Sequence, residues 1–534
     1  MVAKRVNREP VVKSQAVCKL LMVGLSALPL GCSDEDSVDA TSACAETDFR
    51  VCDVTEPSCH QSVFEQVLCV RGISEQVLVM PPVRVVPRRT LPGQSLPTAD
   101  AGALQQDAGI APPVDPDGGP GSRASSAEAT PLELPALSTS LREEVRQGVA
   151  RGAELSDEVN GELAIRALGL MGLVDSSHFT QQARESAQWE AVAGYYDSEQ
   201  QEIVVVANSE DDTSTISLVV TLAHEMVHAI QDQSFGLRSY RSAVVDSTDT
   251  LFGSLSVTEG EATLFHFFVE QHLREQNLSE EDWSRFFSGL TEFADEHFSE
   301  AASPFVSASQ VFPYTYGANL AFERAGDGLT GLATLREQRP TTFEAIAERF
   351  SEPAARSRPL EGIETPEGLY HLSTDSLGAW LMHGFLLRRA SISARPKLVL
   401  DWEWDQVDFY VTPQAEIGLV WRTVWKDSSS AQTFEAALDD LEQGVGRWQV
   451  RREGEQVTLI GAERSVSVLE LLADAVAAVS SLDADGRSLA SVPGSPEVGS
   501  AALRDAILRT FATQSGRGCA AGERLSAFPH PGED

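Results

Sequence analysis

The stretch Thr221-Leu-Ala-His224-Glu225-Met-Val-His228-Ala-Ile-Gln-Asp232 spells H-E-x-x-H inside a segment whose apolar spacing predicts a helix. Residues four apart lie one above the other on a helix face, so His224 and His228 can aim both imidazoles at one metal ion. Glu225 is rotated off that line, where a carboxylate can take a proton from a water next to the ion. Ile216, Val219, Val220, Ala223, Val227 and Ile230 recur at helical spacing and form an apolar stripe beside the histidine face. Thr213, Ser214 and Thr215 offer N-cap hydroxyls, and no glycine follows before Gly236, so the helix is expected to run to about Gln233. A buried helix with two chance histidines would carry the same letters. One packed face with an adjacent His-Glu-His face is instead what presents a site.

Downstream, a second long helix is predicted from near Asp249 towards Leu273, containing Thr258-Glu259-Gly260-Glu261-Ala262-Thr263. A helical glycine costs about 1 kcal/mol relative to alanine, so Gly260 implies close approach by another element. If that element is the H-E-x-x-H helix, Glu259 becomes the third ligand. Three protein ligands with one open position are the pattern of a catalytic zinc site rather than a structural one. Glu261 is expected to face a supporting position or solvent, and His266 to be a core or supporting residue. Upstream, Ala193-Gly194-Tyr195-Tyr196-Asp197, a polar turn and Glu202-Ile-Val-Val-Val206 predict a hairpin. An exposed strand edge there could pair with an extended peptide through main-chain hydrogen bonds.

The 534-residue chain is 42% hydrophobic, enough for a substantial core, and its formal charge of -38 argues against nucleic acid as a partner. Its start is basic (Lys4, Arg5, Arg8, Lys13, Lys19), and Leu20 to Leu30 is apolar but too short for a permanent membrane span. Leu28-Pro29-Leu30-Gly31-Cys32 resembles a bacterial lipoprotein signal, which implies lipidation at Cys32; an ordinary cleaved signal peptide is the alternative, and both export the chain. Cys44, Cys52, Cys59 and Cys69 cluster behind it, as expected for two disulfides in an exported segment, with three connectivities open. Met80 to Pro87 reads as one extended segment. From Leu91 to about Ser126 the chain is rich in Pro, Gly, Ala, Asp and Ser and reads as a tether.

The motif residues resemble the gluzincin metallopeptidases. His224-Glu225-Met-Val-His228-Ala-Ile-Gln-Asp232 is similar to the active helix of thermolysin. Glu259-Gly260-Glu261-Ala262 is similar to the E-G-x-A segment of aminopeptidase N-type enzymes, and Tyr314-Thr315-Tyr316-Gly317, after Pro313, to their Y-x-x-G segment. The resemblance implies Zn²⁺ held by His224, His228 and Glu259, Glu225 as general base, and Tyr314 as donor to the oxyanion, with Tyr316 next in line for that role. The interval from His228 to Glu259 is longer than in the aminopeptidases, so a loop over Gly236 to Val245 has to be accommodated. No G-x-M-E-N segment is present to hold a free N-terminus, which leans towards an endopeptidase. The wider pattern also resembles a group of bacterial exported, lipoprotein-like proteins.

The C-terminal half is less informative. A buried helix is read near Ser376 to Leu387, with His383 as a satisfied core residue. Strands are read at 409–411 and 417–424, a helix at 431–441, a hairpin around Glu453-Gly454-Glu455, and a helix at 469–479. Trp402 and Trp404 are read as core rather than cleft.

The expected fold class is α+β, mainly helical, a zincin-like catalytic domain with an upstream β-hairpin and a smaller α/β C-terminal part. The expected organisation is a signal at 1–31, a Cys-rich exported segment at 32–70, a linker at 71–130, the metallopeptidase core at 131–365, the C-terminal part at 366–493 and a flexible tail at 494–534. The function expected is an exported, membrane-tethered zinc metallopeptidase acting on a peptide or protein, sited at the outer membrane or cell surface, otherwise periplasmic or secreted. The alternatives are an inactive surface or binding protein on a degenerate zincin fold and a zinc hydrolase of a non-peptide amide or ester.

Overall fold

The computed structural model describes residues 49–73, 78–87, 137–151, 155–173, 193–207, 213–276, 278–300, 304–326, 328–350, 363–389, 398–438 and 446–483. In chain order these contain α1 (Pro57–Val70), β1 (Val83–Pro87), α2 (Thr139–Arg151), α3 (Asp157–Leu170), β2 (Gly194–Asp197), β3 (Glu202–Ala207), α4 (Ile216–Phe235), α5 (Leu237–Val244), α6 (Thr248–Leu273), α7 (Glu280–Glu300), α8 (Pro304–Ala325), α9 (Gly328–Gln338), α10 (Thr342–Phe350), β4 (Tyr370–Asp375), α11 (Gly378–Arg389), β5 (Trp402–Val411), β6 (Ile417–Trp425), α12 (Ser428–Ala436), β7 (Arg447–Glu453), β8 (Gln456–Ala462) and α13 (Val466–Asp483). The architecture is α+β and mainly helical. A three-stranded sheet has the order β1-β3-β2, and a five-stranded sheet the order β4-β5-β6-β8-β7.

Thr215 starts α4, its side chain accepting a hydrogen bond from the Leu218 N–H, and Gly236 ends it in the left-handed region at φ 73°. The helix therefore runs slightly past the expected end at Gln233. Gly236 also opens α5, so residues 237–244, expected as part of a loop, form a helix instead. Ser247 and Thr250 make a reciprocal capping box at the start of α6.

The α6 helix is buried along nearly its whole length because it is packed on two sides. It lies against α4 on one side and α8 on another. Gly260 was expected to allow close approach by another element, the H-E-x-x-H helix being one candidate; the helix it accommodates is α8. A Cβ on Gly260 would sit 2.2 Å from the Gly317 carbonyl oxygen, and one on Gly317 would sit 2.6 Å from the Ser256 carbonyl oxygen. The two backbones cross glycine to glycine.

In the small sheet, the hairpin β2-β3 pairs antiparallel as expected, while Val83–Pro87, expected within the linker, is a strand parallel to β3. Its β-branched residues suit a half-buried pleated surface. The large sheet is antiparallel throughout, so the C-terminal part, expected as α/β, is α+β. Its β5-β6 and β7-β8 pairs are joined by short turns that leave no room for the helical crossover a parallel pair needs.

One apolar core joins α1, β3, α4, α6 and α8 around the H-E-x-x-H helix. A second joins α2, α3, α10, α11 and the large sheet, with residues of α6 and α8 on its side as well. Trp380 stacks on Phe312 at 4.4 Å, and Trp402 on Phe343 at 6.0 Å, so Trp402 is a core residue. His383 is buried and 2.9 Å from Asp295 Oδ1. Three buried carboxyls tie α6, α10, α11 and the large sheet together. Asp375 accepts from the Thr248 N–H at 2.9 Å and its hydroxyl at 2.6 Å. Asp249 accepts likewise from Thr342, and Asp405 from the N–H groups of Leu377 and Gly378. Burial pushes Asp249 and Asp375 each up to about 7 and raises Asp405.

Cys52 and Cys59 form a disulfide, and Cys69 is disulfide-bonded too. Cys32 and Cys44 lie outside the described residues. No described helix is long and apolar enough to cross a membrane.

Candidate metal centre

His224 and His228 on α4 and Glu259 on α6 converge in the interior, at 0%, 7% and 3% exposure. His228 Nε2 lies 3.1 Å from both His224 Nε2 and Glu259 Oε2, and His224 Nε2 lies 3.4 Å from Glu259 Oε2. Ligand atoms about 2.0–2.1 Å from a tetrahedral ion stand about 3.3–3.4 Å apart, close to this triangle. One arrangement of protons on these atoms is in conflict. If both rings donate to Glu259, two N–H groups face one another across the 3.1 Å contact between the imidazoles. A cation removes that conflict, and the set of two imidazole nitrogens and one carboxylate oxygen suits zinc.

The electrostatics follow from burial. Desolvation holds His224 down to about 3. The same desolvation acts on His228, but the Glu259 carboxylate outweighs it and raises that ring to about 9. Burial opposes ionisation of Glu259, and His228 with His224 overcomes it, keeping the carboxyl well below its usual range. Glu259 is thereby an anion, as a metal ligand must be, whereas His228 has to give up a proton when a metal binds.

Residues not anticipated from sequence surround these three. Gln231, one turn beyond His228, places Oε1 at 2.9 Å from His228 Nδ1 and donates through Nε2 to the Thr258 carbonyl at 3.0 Å and to Glu261 Oε2 at 2.9 Å. Arg241 on α5 donates to Glu259 Oε1 at 3.1 Å and to Thr258 Oγ1 at 3.3 Å. Glu261 takes the supporting position rather than solvent, in ion pairs with Arg71, which follows α1, and with Arg336 of α9. The helical spacing of Gln231 from His228 was a readable signal. Nothing local marked Arg241, or Arg71, whose partner lies 190 residues along the chain.

Glu225 is buried on the side of α4 that faces the small sheet. A Cβ on Gly194 of β2 would meet Thr221 at 2.8 Å and Glu225 Cγ at 3.4 Å, so the glycine lets the strand lie close over the helix. Tyr196 of the same strand donates to Asp232 at 3.0 Å. Among the described residues, β2 is hydrogen-bonded to β3 on one side only. Tyr314 of α8 comes to the centre, its ring centroid 6.1 Å from that of His224. Tyr316 does not. Its hydroxyl donates to Asp295 at 2.6 Å and its ring stacks on Phe312, which removes it as the reserve oxyanion donor. His266 is buried with its ring 6.1 Å from that of His224 and is not among the ligands.

A family model described as a domain of unknown function (DUF8575) matches residues 368–500. That segment takes in the large sheet and lies outside the His224, His228 and Glu259 cluster. No curated protein and no solved structure matches the chain.

Proposed function

We propose that this chain is an exported zinc metallopeptidase of the gluzincin type, acting on internal peptide bonds. The observation that carries the reading is the buried triangle of His224, His228 and Glu259, held on two crossing helices with Glu225 next to the first ligand. When bound, zinc supplies Lewis acidity, polarising a carbonyl and making a water nucleophilic near neutral pH.

The chain's own residues do the remainder. Glu225 takes a proton from the attacking water and delivers it to the leaving amine. Tyr314, beside His224, donates a hydrogen bond to the oxygen that gains charge as the carbonyl carbon becomes tetrahedral. The outer edge of β2, over the start of α4, is suited to hold an extended peptide by main-chain hydrogen bonds. Export is supported by the basic and apolar N-terminus with Gly31-Cys32 and by the Cys52–Cys59 disulfide, a bond favoured in oxidising compartments. In this reading Cys32 carries a lipid, and the chain between it and the catalytic part tethers the enzyme to an outer membrane or cell surface.

Metal analysis with a broad peptide-library digest tests the function. One equivalent of zinc and cleavage of internal bonds are expected. Zinc at one equivalent with no peptide cleaved would leave a binding protein on a peptidase-like scaffold, or a hydrolase of another amide or ester.

A further inference from the structure

We propose that Gln231, Glu261 and Arg71 are positioning residues for the metal ligands, which makes the disulfide-bonded N-terminal helix α1 a working part of the metal centre. The inference rests on the metal-centre reading above and goes beyond the ligand set. The Gln231 amide has its orientation fixed from three directions. Its nitrogen donates to the Thr258 carbonyl at 3.0 Å and to Glu261 Oε2 at 2.9 Å, which leaves its oxygen to accept from His228 Nδ1 at 2.9 Å. A proton held on Nδ1 leaves Nε2 with its lone pair directed at the ion. Thr258 precedes the ligand Glu259, so the same amide also fixes the backbone that presents the carboxylate.

Glu261 helps to hold this orientation by accepting from the amide nitrogen. Glu261 is 2% exposed, and a buried anion needs compensation. Arg336 supplies part of it at 3.3 Å, and Arg71, 190 residues earlier in the chain than Glu261, supplies more. Arg71 is itself 5% exposed and lies over the Phe265 ring at 5.2 Å from its centroid. It is delivered there by α1, whose Val63, Phe64, Val67 and Leu68 pack into the core shared with α4 and α6. The Cys52–Cys59 disulfide closes the turn that leads into α1. The path from α1 to the metal is therefore Arg71 to Glu261 to Gln231 to His228, each step a direct side-chain hydrogen bond rather than diffuse packing.

The test is a double-mutant cycle on zinc affinity in the full chain, read by chelator competition, with the cobalt-substituted absorption spectrum as a second readout. Gln231→Leu is expected to weaken zinc binding by about 10- to 100-fold, the usual effect of losing such a supporting partner, and to alter the cobalt spectrum. Arg71→Met is expected to weaken it several-fold in the parent and to add little in the Gln231→Leu background, because its effect passes through that amide. Should Arg71→Met fail to fold, Arg71→Lys, which keeps a charge without the guanidinium fork, takes its place in the cycle. Unchanged affinity in Gln231→Leu, or fully additive losses in the double variant, overturns the relay. A parent chain that takes up no zinc removes the metal centre and the relay together. The expected cycle in a chain that cleaves no peptide leaves the relay standing and removes only the peptidase reading.

Discussion

Glu225 and Tyr314 stand beside the ligand set without belonging to it, so each separates chemistry from metal binding. Glu225→Gln is expected to keep its zinc while peptide turnover falls by about 10²- to 10⁴-fold, the range for a lost general base; metal content and kcat measured on the same sample check this. Tyr314→Phe is expected to lower kcat by about 10²- to 10³-fold, as for other oxyanion donors, again with zinc unchanged. Equal activity in that variant would remove Tyr314 from the chemistry, and Tyr316, committed to Asp295, offers no substitute. At this scale the sequence was most informative where one helix carries the geometry. His224 and His228 are related by the helical repeat alone. Glu259 needed a tertiary contact, and the glycine beside it proved to answer a different helix, Gly317 of α8. Gln231 was legible in principle, three residues from His228, but a glutamine on a buried face has no distinguishing signature until its partners are known.

Between elements, the decisive contact is the crossing of α6 and α8. Gly260→Ala places a methyl group 2.2 Å from a main-chain oxygen, which cannot rotate away, so the helices have to separate. A loss of about 1–3 kcal/mol in denaturant unfolding is expected from such overpacking, with weaker zinc binding because Glu259 moves with its neighbour. The control is Gly161→Ala in α3, where a Cβ meets nothing within 4 Å. That change is expected to be neutral or to stabilise by up to about 1 kcal/mol. Equal effects at the two positions would contradict the account of the crossing. The helices and the β2-β3 hairpin were readable because caps, periodicity and a polar turn are local signals. The short α5 was missed because a glycine and polar residues resemble a loop until Arg241 is seen to reach Glu259. The pairing of β1 with β3 was missed because its partner lies far along the chain.

Over the whole molecule, the buried carboxyls Asp249, Asp375 and Asp405 join α6 to α10, α6 to β4 and β5 to the start of α11, and they give stability a pH dependence of definite sign. Burial raises Asp249 and Asp375 from 3.8 to about 7, so between those values the folded chain holds protons that the unfolded chain has released. Their contribution is present in full below about pH 4, near the ordinary value for Asp, and is lost as the pH rises towards 7. Asp375→Asn removes one of these groups. The stability of the parent relative to this variant is expected to fall between about pH 4.5 and 7 in urea unfolding; a difference that is constant or grows would contradict the assignment. No sequence pattern announces this cluster, whose members come from α6, β4 and β5 and meet only in the folded chain. The α+β class was legible in separate strand-like and helical runs and in the hairpin around Gly454, whereas the full antiparallel order of the large sheet was not. In the proposed centre, two histidines of α4 and a glutamate of α6 hold zinc with one position left open. Zinc-edge X-ray absorption on the full chain loaded with one equivalent tests it most directly. Two imidazole nitrogens and oxygen donors at about 2.0–2.1 Å, four in all, are predicted. Sulfur scattering at about 2.3 Å, or failure to retain one equivalent of zinc, would contradict it.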